Sequence, residues 1–302
     1  MLKRTITGFF IILFIAGFTA LRQVHELFFD AFALILMYGA IVEMCLANKF
    51  INKRVEKVVL FIYPVILACI YIFSNSVALA LLLQLAALLL MFAVLMTKEL
   101  IRNAIVRKKE NVQLDSDEVK NNILEEAKNT LQILVYPTSL IGFLMGINHF
   151  GLEIGYVGII LVFAISMFTD VFAYCFGCLI KGAKMAPEIS PKKSIAGMIF
   201  GALGGMIAAG LGYLFFVHFG WLGDVFSSLH WSIPIIMFVI FGVLGTFLTQ
   251  FGDLVASAFK RKVGIKDFGS IFPGHGGFMD RIDGQMFTAA LIYIVFGIFM
   301  FI

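Results

Sequence analysis

Long apolar runs, broken by short polar interruptions, set the pattern of this chain. A helix crossing a hydrocarbon core of about 30 Å needs about 20 mostly apolar residues. Such runs fall near 5–21, 27–47, 57–74, 77–97, 131–148, 155–178, 195–218, 233–254 and 284–302. The pattern predicts an all-α, polytopic integral membrane protein with about nine transmembrane helices. The eighth run keeps a helical pattern to about Lys262, past the bilayer. The interruptions Leu21–Glu26 and Asn75–Ser76 are short enough to make antiparallel hairpins of their neighbours. Three regions follow: a four-helix membrane region over 1–97, an amphipathic cytoplasmic connector over 98–130, and a five-helix membrane region over 131–302 whose cytoplasmic loops collect the polar residues.

Composition agrees. The chain is 61% hydrophobic and 14% charged, against about 25% charged in a soluble domain. Charge then fixes an orientation. With loops numbered alternately, every one of the 23 Lys and Arg residues except Arg22 lies on the N-terminal side. Cytoplasmic loops carry the excess of Lys and Arg, so the N-terminus is expected in the cytoplasm and the C-terminus outside, in the cell (inner) membrane. Lys3, Arg4 and the first run resemble a secretory signal, but the tally requires this helix to be retained. No extended basic domain offers a nucleic-acid surface. The four cysteines do not make a secreted disulfide framework, and the lone Cys175-x-x-Cys178 reads as helix packing, not a zinc site. His25, His149, His218, His230, Trp221 and Trp231 fall at the outer interface. Glu43 lies inside the second run, where an ionisable side chain is either functional or bonded to a neighbouring helix.

Candidate chemistry collects in Ser257–Asp283. Asp253 stands at the cytoplasmic end of a long apolar helix, with Ser257, Lys260 and Arg261 on the same face at offsets of four, seven and eight. In Pro273-Gly274-His275-Gly276-Gly277, three glycines permit positive φ and close backbone approach to a ligand. Asp280-Arg281-Ile282-Asp283 then opens the final run, its two carboxylates three residues apart. Hard oxygen ligands gathered this way suit Mg²⁺ shared with substrate phosphates. A second cluster surrounds the end of the sixth run: Asp170, Tyr174, Lys181, Lys184 and Ser190-Pro191-Lys192-Lys193-Ser194.

Together these residues resemble the phosphatidate cytidylyltransferase (CDP-diacylglycerol synthase) family. The likeness rests on Gly252-Asp253, Ser257, Lys260-Arg261, Lys266-Asp267, Pro273–Gly277 and Asp280-Arg281-Ile282-Asp283. A weaker pattern covers Asp170, Ala173-Tyr174, Gly177, Lys184, Pro187, Ile189–Pro191 and Lys193-Ser194. The family usually has Arg at the position of Cys178, Gly-Lys at Lys181-Gly182 and Trp-Glu-Gly at Ile195-Ala196-Gly197. These departures leave every carboxylate assigned to metal in place.

The resemblance implies transfer of CMP from CTP to phosphatidate, giving CDP-diacylglycerol and pyrophosphate, with Mg²⁺ as cofactor, as two ions. It implies Asp253 and Asp283 as metal ligands and Asp280 beside them. Lys260, Arg261, Lys266 and Arg281 would hold phosphates, Ser257 would position one, and Pro273, Gly274, His275, Gly276 and Gly277 would shape the substrate loop. Asp170, Tyr174, Lys184, Ser190, Lys193 and Ser194 would bind or gate the nucleotide. A homodimer in the lipid bilayer is a family expectation. The rival readings are a CTP-dependent enzyme for a polyprenyl or ether lipid, a transporter with Asp170, Asp253 and Asp283 along an ion path, and an inactive homologue.

Overall fold

The computed structural model describes residues 2–48, 54–110, 127–180, 182–220 and 230–300. It is mostly helical: α1 (Leu2–Leu21), α2 (Leu27–Asn48), α3 (Arg54–Phe73), α4 (Val77–Glu110), α5 (Ala127–Asn148), α6 (Leu152–Ile180), α7 (Ile195–His218), α8 (Ser232–Lys262), α9 (Met279–Ile282) and α10 (Gln285–Met300). Seven of them, α2 to α8, are long and apolar enough to cross a membrane. The first and last expected spans are apolar helices too, but shorter, at Ile6–Leu21 and Gln285–Phe299. The eighth run is helical to Lys262, as its pattern predicts. In the expected connector, α4 carries the helix on to Glu110, while 111–126 lie outside the described residues, as does Lys181.

A small hairpin interrupts the helical plan. Strand β1 (Lys184–Ala186) pairs antiparallel with β2 (Ser190–Ser194), Lys184 opposite Ser194 and Ala186 opposite Ser190. The amide of Ile189 donates to the Ala186 carbonyl at 3.2 Å to make the turn. Ser194 ends the hairpin and caps α7, its Oγ accepting from the Gly197 amide at 3.1 Å.

Helix α5 is the centre of the molecule, with 78% of its span buried. It is not a regular helix: Leu134–Ser139 forms a π-turn around Pro137, and Tyr136 leaves helical φ/ψ. Backbone acceptors released there cannot be solvated inside a membrane. Thr138 and Ser139 hydroxyls donate to the Ile133 and Leu134 carbonyls, both at 2.8 Å. Helices α6, α7 and α8 approach closely through small residues, as membrane helices commonly do. A Cβ on Gly201 would stand 3.1 Å from the Ala173 Cβ and from the Gln250 amide nitrogen.

At the end of the bundle away from the candidate cluster, Arg22 is 1% exposed. Its guanidinium donates to the Asn148 side chain, and to the Asn148 and Gly151 carbonyls at 2.7 and 2.8 Å. His149 sits 2.9 Å from Asp30 and 3.2 Å from Glu26. Burial draws the imidazole pKa down, but the Asp30 hydrogen bond and the charges of Asp30 and Glu26 outweigh it, and the net shift is upward. The single basic residue outside the charge tally is thus a buried structural pin. The expected packing role of Cys175 and Cys178 is corrected: both residues are exposed.

Candidate active site

Three helices bring the carboxylates together. Asp170 comes from α6, Asp253 from α8, and Asp283 from the junction of α9 and α10. They line one polar recess of about 200 Å³ with Asp280, Lys260 and Arg281. Gly252 permits this convergence, because a Cβ there would overlap the Asp283 carbonyl oxygen. The backbone of α8 therefore lies directly against the residue that carries the second carboxylate.

The charges are arranged in pairs around the rim. Lys193, on β2, reaches Asp253 Oδ2 at 2.7 Å and the Gln250 carbonyl at 3.3 Å. Lys260 pairs with Asp280 Oδ1 at 2.7 Å. The other Asp280 oxygen accepts from the amides of Phe268 and Gly277 at 2.8 and 3.0 Å. Asp280 therefore organises the loop before it as well as lining the recess. Among the described residues, Asp170 and Asp283 form no ion pair. Burial, and next the negative charge of Asp253, pushes the Asp283 carboxyl well above the ordinary carboxylate range. A cation placed between these two aspartates would relieve that shift.

The donor set fits a magnesium ion. Asp253 and Asp283 offer hard carboxylate oxygens on adjacent walls, though among the described residues no three Asp, Glu, His or Cys side chains converge on a single metal position. Mg²⁺ typically uses one or two carboxylates and takes its remaining ligands from water and substrate phosphates.

Around the recess, the glycine loop takes the form the sequence predicts. Gly274 and Gly276 both have φ near +79°, Phe272 and Gly276 form an isolated bridge, and the His275 amide donates to the Phe272 carbonyl at 2.8 Å. A Cβ on Gly276 would stand 2.6 Å from Asp280 Oδ2. Ser257 donates to Asp253 at 3.4 Å. Arg261 donates to the Ile189 carbonyl at 3.2 Å and ties the hairpin to the end of α8. Tyr174, Lys184, Ser190 and Lys266 do not line the recess: Tyr174 is 75% exposed, Lys266 is exposed, and Lys184 and Ser190 lie on the hairpin. Pro273 and Gly274 are exposed at the loop tip.

Asp267, which stands in the signature without an assigned role, also lines the recess. Two further contributors escape a reading of the motifs. Tyr136 stacks on Phe259 at 5.5 Å and packs on Phe287, next to Lys260 and near Asp283, and its buried hydroxyl makes no hydrogen bond among the described residues. Helix α1 supports the loop from the far end of the sequence, its Thr7 hydroxyl donating to the Pro273 carbonyl at 3.2 Å. A π-turn and a hydroxyl bonded to a distant backbone carbonyl leave no spacing signature, so neither Tyr136 nor Thr7 stands out in the sequence.

Comparison with known proteins shows what the chain is similar to. The chain is 37% identical over 149 residues to a Brucella abortus protein named phosphatidate cytidylyltransferase, covering 48% of each chain. A Rickettsia bellii protein of the same name is 37% identical over 145 residues, 47% of this chain and 58% of that one. A Thermotoga maritima protein, also so named, is 36% identical over 165 residues, 55% of this chain and 57% of its own. The alignments span about half the length of these curated relatives. The profile of the cytidylyltransferase family matches residues 2–299, nearly the whole sequence, and the chain belongs to the cytidylyltransferase family.

Proposed function

We propose that this protein transfers CMP from CTP to phosphatidate, giving CDP-diacylglycerol and pyrophosphate. The observation that carries the reading is the single recess in which Asp170, Asp253 and Asp283 meet Lys260, Arg281 and, at the rim, Lys193. Opposed charges crowded into one recess suit a reaction in which two polyanions must approach each other. The reading places the recess on the cytoplasmic face, at the ends of α6 and α8, where CTP arrives from water and the lipid from the inner leaflet. It takes α1 and α10 as two further spans, making nine, with the N-terminus inside and the C-terminus outside. A homodimer belongs to the same reading.

A phosphatidate oxygen attacks the α-phosphorus of CTP, and the bond from that phosphorus to the pyrophosphate oxygen breaks. No general base is needed, because a phosphate monoester with a second pKa near 6 is already ionised at neutral pH. Lys260 and Arg281 present N–H donors to phosphate oxygens inside the recess. Lys193 can exchange its Asp253 partner for a nucleotide phosphate, since the hairpin that carries it lies at the rim. The turn at Gly274 and Gly276 brings backbone amides to the substrate. Asp253 and Asp283 would hold Mg²⁺, which when bound offsets the charge of both substrates and of the leaving pyrophosphate.

The test is pyrophosphate release by the purified protein in detergent with CTP, phosphatidate and Mg²⁺. Lipid-dependent release that disappears in Asp283→Asn is expected. Folded protein that releases none, or an active Asp283→Asn variant, overturns the assignment.

A further inference from the structure

We infer that Glu43, on α2, is a positioning residue for the catalytic turn, acting through the backbone that carries Asp280 and Asp283; the inference rests on the reading above. Glu43 is 2% exposed and lies 235 and 236 residues from its two partners. One carboxylate oxygen accepts from the Phe278 amide and the other from the Met279 amide, both at 2.9 Å. These amides open α9, so a carboxylate from another helix caps the turn on which both aspartates stand.

The surroundings are shaped to this carboxylate. Gly269 and Gly277 face it from the loop, and on either residue the three atoms nearest an added Cβ would all belong to Glu43, overlapping the carboxylate. One helical turn earlier, Gly39 leaves a slot for the Phe278 ring, which a Cβ there would approach to 2.5 Å. Gly39 and Glu43 share one face of α2, a slot and a hook for consecutive loop residues. Asp280 grips the same loop from the other side, through the amides of Phe268 and Gly277. Two carboxylates thus hold four backbone amides between residues 268 and 279. Glu43 ties this loop to the N-terminal half through a charged group.

Glu43 does not line the recess, so it touches no reacting atom. Its effect passes through Asp283, four residues beyond Met279. A turn released at its start moves that carboxylate relative to Asp253, and misplacements of about 1 Å cost on the order of a hundredfold in rate.

The experiment compares wild type with Glu43→Gln and Gly269→Ala. Gln can accept only one of the two amides and turns an NH₂ toward the other. Gly269→Ala leaves the charge and displaces the carboxylate with a methyl group. Expected for both is a kcat at least tenfold lower with KM for CTP within threefold, at a temperature where the variants remain folded. Backbone hydrogen exchange, which needs no turnover, should speed at least tenfold at residues 278–283 and stay unchanged in α6. In Glu43→Ala, which vacates the space, adding Gly269→Ala should cause no further loss. Wild-type kcat and exchange in Gly269→Ala would overturn the inference even if Glu43→Gln failed to fold. So would a kcat loss matched by faster exchange throughout the molecule. A wild-type protein inactive on CTP and phosphatidate would instead sink the proposed reaction, while the exchange result would still decide the role of Glu43.

Discussion

Replacing Asp280 by Asn tests whether the Lys260–Asp280 pair holds the loop. The side chains of Lys260 and Asp280 are 12% and 4% exposed, and their atoms are 2.7 Å apart, so the pair is shielded from solvent screening. Asn keeps the shape of the side chain but only one of its two acceptor oxygens. If its oxygen faces the Phe268 and Gly277 amides, its NH₂ points at the Lys260 ammonium; the opposite rotamer turns the NH₂ on the two amides. Removing one partner of a buried pair costs about 3–5 kcal/mol, and the retained Asn acceptor places the expected loss near the lower end, at about 3 kcal/mol. Lys260→Met leaves Asp280 with both amides and should cost about 2 kcal/mol, the worth of one charge-assisted bond. The double variant has neither an orphaned cation nor an unmatched charge, and should lose about 3 kcal/mol in place of the 5 that additivity gives. The assay is equilibrium unfolding in mixed micelles by titrated SDS, followed by tryptophan fluorescence and circular dichroism. Losses that add to within about 0.5 kcal/mol would refute the coupling and reduce the contact to two independent surface charges.

Two further outcomes follow from other contacts. Lys193→Met removes the cation that the hairpin offers to a nucleotide phosphate, an interaction of about 1.5–3 kcal/mol, so kcat/KM for CTP should fall at least tenfold; an unchanged value in a steady-state assay would remove Lys193 from the nucleotide site. His149 has a folded pKa raised above its ordinary value, so its contribution is fully present below about pH 6.5 and is lost as pH rises through the folded pKa; the wild-type stability profile should decline over that window and His149→Gln should flatten it, whereas parallel profiles would show that Asp30 and Glu26 do not favour the imidazolium.

The helices and the recess were legible for different reasons. Apolar length alone marks α2 to α8, because a bilayer demands it of any spanning segment. Two apolar runs at the ends give shorter helices, and the hairpin at Lys184–Ser194 was hidden inside what reads as a positive loop, since three- and five-residue strands are too short for alternation to show. Asp170, Asp253 and Asp283 were legible because their residue type is itself the chemistry: a carboxylate at the end of an apolar helix is costly unless something pairs with it. Arg22 was legible only as an exception to the charge tally, and its role appears once Asn148, Asp30 and Gly151 are seen around it.

The supports of the site follow another logic. Glu43 binds backbone amides, and an amide is the same whatever residue carries it, so no side-chain partner in the sequence points back to Glu43. The only traces it leaves are two glycines whose missing Cβ atoms make room for its carboxylate, and glycine in a loop already has a simpler reading as a turn former. Both are informative, because neither Gly269 nor Gly277 has a positive φ to justify it. A loop glycine in an ordinary conformation has been kept small by something outside the loop, and here that neighbour is a carboxylate from the opposite half of the chain. On this argument the N-terminal helices are part of the catalytic apparatus, and separating them from the signature region should release the turn that presents Asp283.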